Sequence, residues 1–138
     1  MSAGKTFFDT NVILYLLSGD SAKADCAEAE IARGGVISVQ VLNEFAAVAS
    51  RKLGMSVAEI SEVEEGLLAV CEVVPLTAET HGRGLQIMSR YGLSVYDAMI
   101  VAAAELAGCG TILSEDMQDG MRFDALTVIR NPFRSAPA

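Results

Sequence analysis

Thr6-Phe7-Phe8-Asp9-Thr10-Asn11-Val12-Ile13-Leu14-Tyr15-Leu16-Leu17 decides the fold. Three β-prone residues run directly into Asp, Thr and Asn, whose short polar side chains cap the free amides of a helix, and then into an unbroken apolar run. The stretch reads as a strand over residues 6–8, a cap, and a helix over 12–17. Working outward, Asp20 and Ser21 cap a second helix to about residue 33, and Gly34-Gly35 stops it before the β-branched run Val36-Ile37-Ser38-Val39, a second strand. A third helix is predicted over 41–53, closed by Gly54. Ser56 followed by Glu59 is a capping box that opens a fourth helix to about residue 70. Residues 71–74 read as a third strand ended by Pro75. Thr77 with Thr80 opens a helix to Tyr91 that Gly92 breaks, and Ser94 opens a strongly helical segment over 95–107 before Gly108. Thr111-Ile112-Leu113 is a fourth strand, 114–120 its acidic exit loop, and 126–129 a fifth strand. The tail from Asn131, with Pro132 and Pro137, is expected to be loosely ordered.

Strands that alternate with helices predict an α/β fold, a parallel sheet of four to five strands flanked by helices on both faces. Ligands of such sheets sit beyond the carboxyl ends of the strands, where the helices begin. That rule singles out Asp9 and the loop after strand four.

The length, 138 residues, suits one domain spanning 1–138. With 51% apolar and only 20% charged residues, the chain is built to bury a core, which excludes disorder. Ten basic against 18 acidic side chains give a net charge of −8, so nothing attracts the chain in general to phosphate backbones or anionic lipid. A nucleic-acid role therefore needs metal ions or a local basic rim. Cys26, Cys71 and Cys109 are far apart, with no CxxC pair and one histidine, His81, which disfavours a zinc site or a disulfide framework. Residues 1–8 lack the apolar core of a signal peptide, and the apolar stretches 12–17 and 98–104 are far below the roughly 20 residues that span a bilayer. A cytoplasmic protein with no membrane association is expected.

Three acids stand alone in segments made for burial. Asp9 is the only formal charge from residue 6 to 19, Glu44 from 34 to 50, and Asp97 from 91 to 104. On a helix Glu44 shares a face with Val41 and Val48, and Asp97 with Ile100, Val101 and Ala104, so both are expected to point toward the core. An ionised carboxylate buried without compensation costs several kcal/mol. Either Arg or Lys arrives from elsewhere, or several acids share a bound cation. The second explains more residues at once, because Asp9 leaves strand one, Asp116 leaves strand four, Asp97 opens a helix, and Glu44 lies one turn into another. An all-oxygen donor set suits Mg²⁺ or Mn²⁺ rather than zinc. With such an ion, carboxylates can orient a water for attack on a phosphodiester. Each residue also has a plainer reading: Asp9 as a helix cap, Glu44 as a surface acid, Asp97 as a partner of the helix dipole, Asp116 as part of a solvated acidic loop.

Other motifs carry less. His81 lies in a polar helix turn without a matched Ser or Cys nucleophile motif, so it reads as an exposed histidine rather than a triad member. Gly82-Arg83-Gly84 and Gly108-Cys109-Gly110 lack the full GxGxxG pattern, and there is no GK[ST]. The six methionines read as core fillers.

The segments Phe8-Asp9-Thr10-Asn11-Val12, Val41-Leu42-Asn43-Glu44-Phe45, Leu93-Ser94-Val95-Tyr96-Asp97-Ala98-Met99-Ile100 and Leu113-Ser114-Glu115-Asp116-Met117-Gln118-Asp119-Gly120 together resemble the PIN-domain ribonucleases. More narrowly they resemble VapC-like toxins of bacterial toxin-antitoxin pairs. The pattern covers nearly the whole chain, in order and at matching spacing. The resemblance implies a Mg²⁺- or Mn²⁺-dependent endoribonuclease with Asp9, Glu44, Asp97 and Asp116 as an acidic quartet that binds metal and catalyses. It makes Asn11 and Ser114 supporting polar residues and Asp119 a secondary candidate. It also implies an RNA substrate, a small antitoxin that blocks the active-site groove, and a homodimer.

Readings from other classes fit less well. A receiver domain or a haloacid-dehalogenase-like phosphatase also places Asp at the exit of strand one, but the phosphatase DxD pattern meets Asn11 at its second Asp. Both need a late Lys, whereas Lys occurs here only at positions 5, 23 and 52. A PIN-like module that binds a partner without catalysis is opposed by the presence of all four acids.

Overall fold

A computed structural model describes residues 4–124 and 127–134. Five parallel strands, β1 (Lys5–Phe8), β2 (Gly35–Ser38), β3 (Cys71–Val74), β4 (Cys109–Leu113) and β5 (Val128–Arg130), form one sheet in the order β3-β2-β1-β4-β5. Six helices flank it: α1 (Thr10–Leu14), α2 (Ser21–Ala32), α3 (Val39–Lys52), α4 (Val57–Val70), α5 (Ala78–Tyr91) and α6 (Val95–Leu106). Successive residues of a strand face opposite sides of a sheet. Phe7 and Phe8 in β1 and Ile112 and Leu113 in β4 are all fully buried, so helices cover both faces at the centre. The predicted α/β architecture is the observed one, with five strands.

The strand order reverses at β1. The chain leaves β1 for β2 and β3 on one side, then crosses back to lay β4 and β5 on the other. Such a switch point opens a crevice between the carboxyl ends of the two central strands. Here those ends are Phe8 and Leu113, paired in register, and the next residues are Asp9 and Ser114.

Close approach of β2 to β1 requires a residue without a side chain. A Cβ at Gly35 would stand 2.6 Å from the Thr6 carbonyl oxygen and 2.6 Å from Cε2 of Phe8. Gly35→Ala must therefore push apart two paired strands or displace a fully buried ring, and we expect a loss of about 2 kcal/mol. A urea midpoint lowered at unchanged m-value would show it; an unchanged midpoint would contradict it.

Local differences from expectation have local causes. The first helix starts at Thr10, because Asp9 itself caps it by accepting the Thr10 amide, and it tightens into a 3-10 turn over Tyr15–Leu17. Val39, expected in the second strand, opens α3 because Ser38 caps that helix through the Val41 amide. The fourth strand begins earlier, at Cys109. The fifth runs over Val128–Arg130; its expected start at Leu126 lies outside the described residues. The tail is not loose over residues 131–134. The Asn131 amide donates to Asp119 Oδ1 at 2.8 Å, Arg134 pairs with Asp119 at 3.0 Å, and the Phe133 ring packs edge-on against Tyr15 with centroids 4.6 Å apart. Residues 135–138 lie outside the described part. Met99 and Met117 are core fillers as expected, whereas Met88 is exposed.

Candidate functional site

Asp9 stands at the switch point, held by both central strands. Its amide donates to the Leu113 carbonyl at 3.0 Å, continuing the β1–β4 ladder one residue past the strand. The carboxylate is buried, at 6% exposure, and accepts three hydrogen bonds. Oδ1 accepts the Thr10 amide at 2.7 Å, while Oδ2 accepts the Ser114 hydroxyl at 2.7 Å and the Asn11 amide nitrogen at 3.1 Å.

Ser114 and Asn11 tie the exit of β4 to the exit of β1. The fully buried Ser114 Oγ also accepts the amides of Asp116 (3.2 Å) and Met117 (3.1 Å), which folds the acidic loop back over the strand end. Asn11 accepts the Glu115 amide on Oδ1 at 3.0 Å and donates from Nδ2 to Asp116 Oδ2 at 3.2 Å. Both residues are thus positioned by β1 and β4 to orient two acids.

Glu44 comes from α3, where its Oε1 accepts the Thr10 hydroxyl at 2.6 Å. Asp97 comes from the first turn of α6, whose start is fixed by Ser94 accepting the Asp97 amide at 3.2 Å. Asp9, Glu44, Asp97 and Asp116 line one open cavity of about 210 Å³, closed on its apolar side by Leu14, Val48 and Ile100. Glu44 and Asp97 do not enter the core as their helical faces suggested. They are half-buried at the core's edge because the cavity interrupts the packing there.

Charge in the cavity is uncompensated. Among the described residues no Lys, Arg or His forms an ion pair with any of the four acids. Burial pushes the Asp9 carboxyl up from 3.8 to about 6, against the lowering effect of Ser114 and the Thr10 amide and with a further push from Asp97 and Asp116. Asp97 is also raised, by burial first; its hydrogen bond with Ser94 opposes the shift and Asp116 adds to it. The donors are all oxygen, and negative charge exceeds its counter-charge, which fits a hard divalent cation. Among the described residues no three His, Cys, Asp or Glu side chains are drawn into a ready-made cage.

Asp119 does not reach the cavity, since its two oxygens are taken by the Asn131 amide and Arg134. His81 is exposed, as expected. Two features escaped the sequence reading. Thr10, seen only as a cap, orients Glu44. Behind the cavity, the Tyr15 hydroxyl donates to Glu115, and Lys23 pairs with Glu115 at 3.2 Å while lying 4.5 Å above the Tyr15 ring. That cluster holds the β4 exit loop against α2.

A family model described as PIN domain matches residues 6–121. No curated protein matches the chain. Among solved structures, a toxin-antitoxin complex from Klebsiella pneumoniae superposes with a TM-score of 0.69 at 20% identity, covering 92% of this chain and 97% of that one. VapC20 of Mycobacterium tuberculosis, a toxin that cleaves the sarcin-ricin loop, gives 0.66 at 21% identity over 80% of this chain and 91% of that one. VapBC2 from Rickettsia felis, bound to a DNA fragment of its promoter, gives 0.64 at 18% identity, covering 91% and 97%. At these identities the likeness is one of fold.

Proposed function

Because this chain belongs to the PIN domain family, we propose that it is a Mg²⁺- or Mn²⁺-dependent endoribonuclease acting as the toxin of a toxin-antitoxin pair. In this reading residues 1–138 work as one PIN-like domain, Asp9, Glu44, Asp97 and Asp116 bind the ion and catalyse, and Asn11 and Ser114 support them. The observation that carries the proposal is the convergence of four carboxylates, from four separate elements, on one cavity without a basic partner among the described residues. Asp119 is left out of the set because Arg134 and the Asn131 amide occupy it.

A bound divalent ion would lower the pKa of a water and stabilise the leaving oxygen of a phosphodiester. The chain's own residues supply orientation. Ser114 and Asn11 aim Asp9 Oδ2 into the cavity, and Thr10 fixes Glu44 Oε1. Asp97, whose carboxyl titrates above the ordinary range, is suited to accept the proton of the attacking water. Leu14, Val48 and Ile100 keep bulk water from one side. The partners in this reading are an RNA substrate, a second copy of the chain, and a cognate antitoxin whose Arg or Lys side chains complement the acidic cavity. The site of action in this reading is the cytoplasm; among the described residues no helix is long and apolar enough to cross a membrane.

Purified protein is expected to cleave RNA with Mg²⁺ or Mn²⁺ and to lose that activity in excess EDTA. The ion should also stabilise the fold by mass action, by about 1.4 kcal/mol at ten times its Kd, read as a raised melting temperature. Cleavage that persists in EDTA would sink the metal mechanism.

A further inference from the structure

The chain has five Phe and three Tyr and no Trp. Seven of these eight rings have a structural occupation. Phe7, Phe8, Phe45 and Phe123 are buried. Phe133 packs on Tyr15, which also engages Glu115 and Lys23; Tyr91 packs on Phe123 and accepts the Asp124 amide. Tyr96 is the exception. It is 66% exposed, makes no ring contact, and its hydroxyl has no partner among the described residues.

The position of this ring is nevertheless fixed. Tyr96 lies in the first turn of α6, directly before Asp97, and lines the acidic cavity. Its carbonyl accepts Gln40 Nε2 at 3.1 Å, and Gln40 is itself buried, so a polar side chain from the start of α3 anchors the backbone under the ring. An aromatic face is thus presented to solvent on a rigid helix turn beside the carboxylates. Single-stranded RNA is bound in part by stacking its unpaired bases on such faces. Stacking also suits this chain, whose net charge of −8 gives little general attraction to the RNA backbone.

We propose that Tyr96 is a substrate-positioning residue that stacks an unpaired base of RNA next to the phosphate held at the acidic cavity. This rests on the ribonuclease reading above. The ring sorts substrates by the presence of an unstacked base at that point, so unpaired or looped RNA is favoured over duplex.

The test measures kcat and KM on a mixed-sequence single-stranded RNA oligonucleotide, with a fully abasic oligonucleotide as competitive inhibitor. Tyr96→Leu keeps bulk and removes the aromatic face. We expect KM to rise about tenfold, in the range stacking supports, with kcat changed less than about threefold, and the abasic inhibition constant unmoved. Tyr96→Phe should restore the wild-type KM, since the ring and not the hydroxyl binds. Three results would overturn the proposal: a KM for Tyr96→Leu within about twofold of wild type, a kcat that falls as far as KM rises, or an abasic inhibition constant that weakens in parallel. The second would mean that the residue acts by placing Asp97. If wild-type protein cleaves no RNA at all, the ribonuclease reading fails first and Tyr96 falls with it.

Discussion

Asp97→Asn is expected to lower RNA cleavage at least about a hundredfold, on the order of 2.7 kcal/mol of barrier, without loss of metal-free stability. Asp97 has two possible roles with opposite signatures. As a mere first-turn acid it would favour the α6 dipole, and its neutralisation would cost roughly 0.3 to 1 kcal/mol of stability while leaving activity intact. The structure weakens that role, because Ser94 already caps the helix through the Asp97 amide. As a member of the acidic set it lies among like charges: Asp97 helps to raise the titration of Asp9, and Asp116 helps to raise that of Asp97. Asn keeps the shape and one acceptor oxygen but removes the charge, so the metal-free fold should hold or gain stability while the reaction loses its base and its cation partner. Kinetics together with thermal unfolding in EDTA decide between the roles. A folded variant that cleaves at near wild-type rate removes Asp97 from the site.

The metal-free protein should lose about 2 kcal/mol of stability through Asp9 alone as pH rises from about 4 to about 6. The sign follows from the proton count. Asp9 titrates near 3.8 when unfolded and at about 6 when folded, so between those values the folded state holds a proton that the unfolded state has released. Stability then falls with rising pH, by about 1.4 kcal/mol per unit, and levels off above the folded pKa. Asp9 itself is almost wholly buried, so solvent screening discounts the effect little. Subtracting the pH curve of Asp9→Asn from that of wild type isolates this carboxyl from the rest. A flat difference curve between pH 4 and 6 would contradict the burial argument. A saturating divalent ion, which competes with the proton, should shrink the fall.

What was legible in the sequence was local. The passage from strand to cap to helix at residues 6–17 placed Asp9 at a strand end, and the pairs Ser56 with Glu59 and Thr77 with Thr80 marked helix starts that form as capping boxes. The isolation of Glu44 and Asp97 among apolar neighbours signalled that each needed an unusual environment. The notion that both enter the core came from helical periodicity, which cannot tell a packed face from one opening on a cavity. What stayed hidden depends on residues far apart in the chain. Thr10 reaches Glu44 across 34 positions, Tyr15 reaches Glu115 across 100, and Phe133 finds Tyr15 from the other end of the protein. Asp119 looked like its acidic neighbours because nothing near it in sequence announces Arg134 as its partner.

The pairing of β1 with β4 also sets a timetable. Asp9 is made 105 positions before Ser114, which holds its carboxylate, and β5 must follow to cover the edge of β4. Contacts of such separation close late, after the intervening chain has collapsed. A polypeptide still being synthesised on a ribosome therefore carries β1 through β3 with an unsecured Asp9 and no Asp116. The acidic cavity thus forms only once the chain has been made through β5.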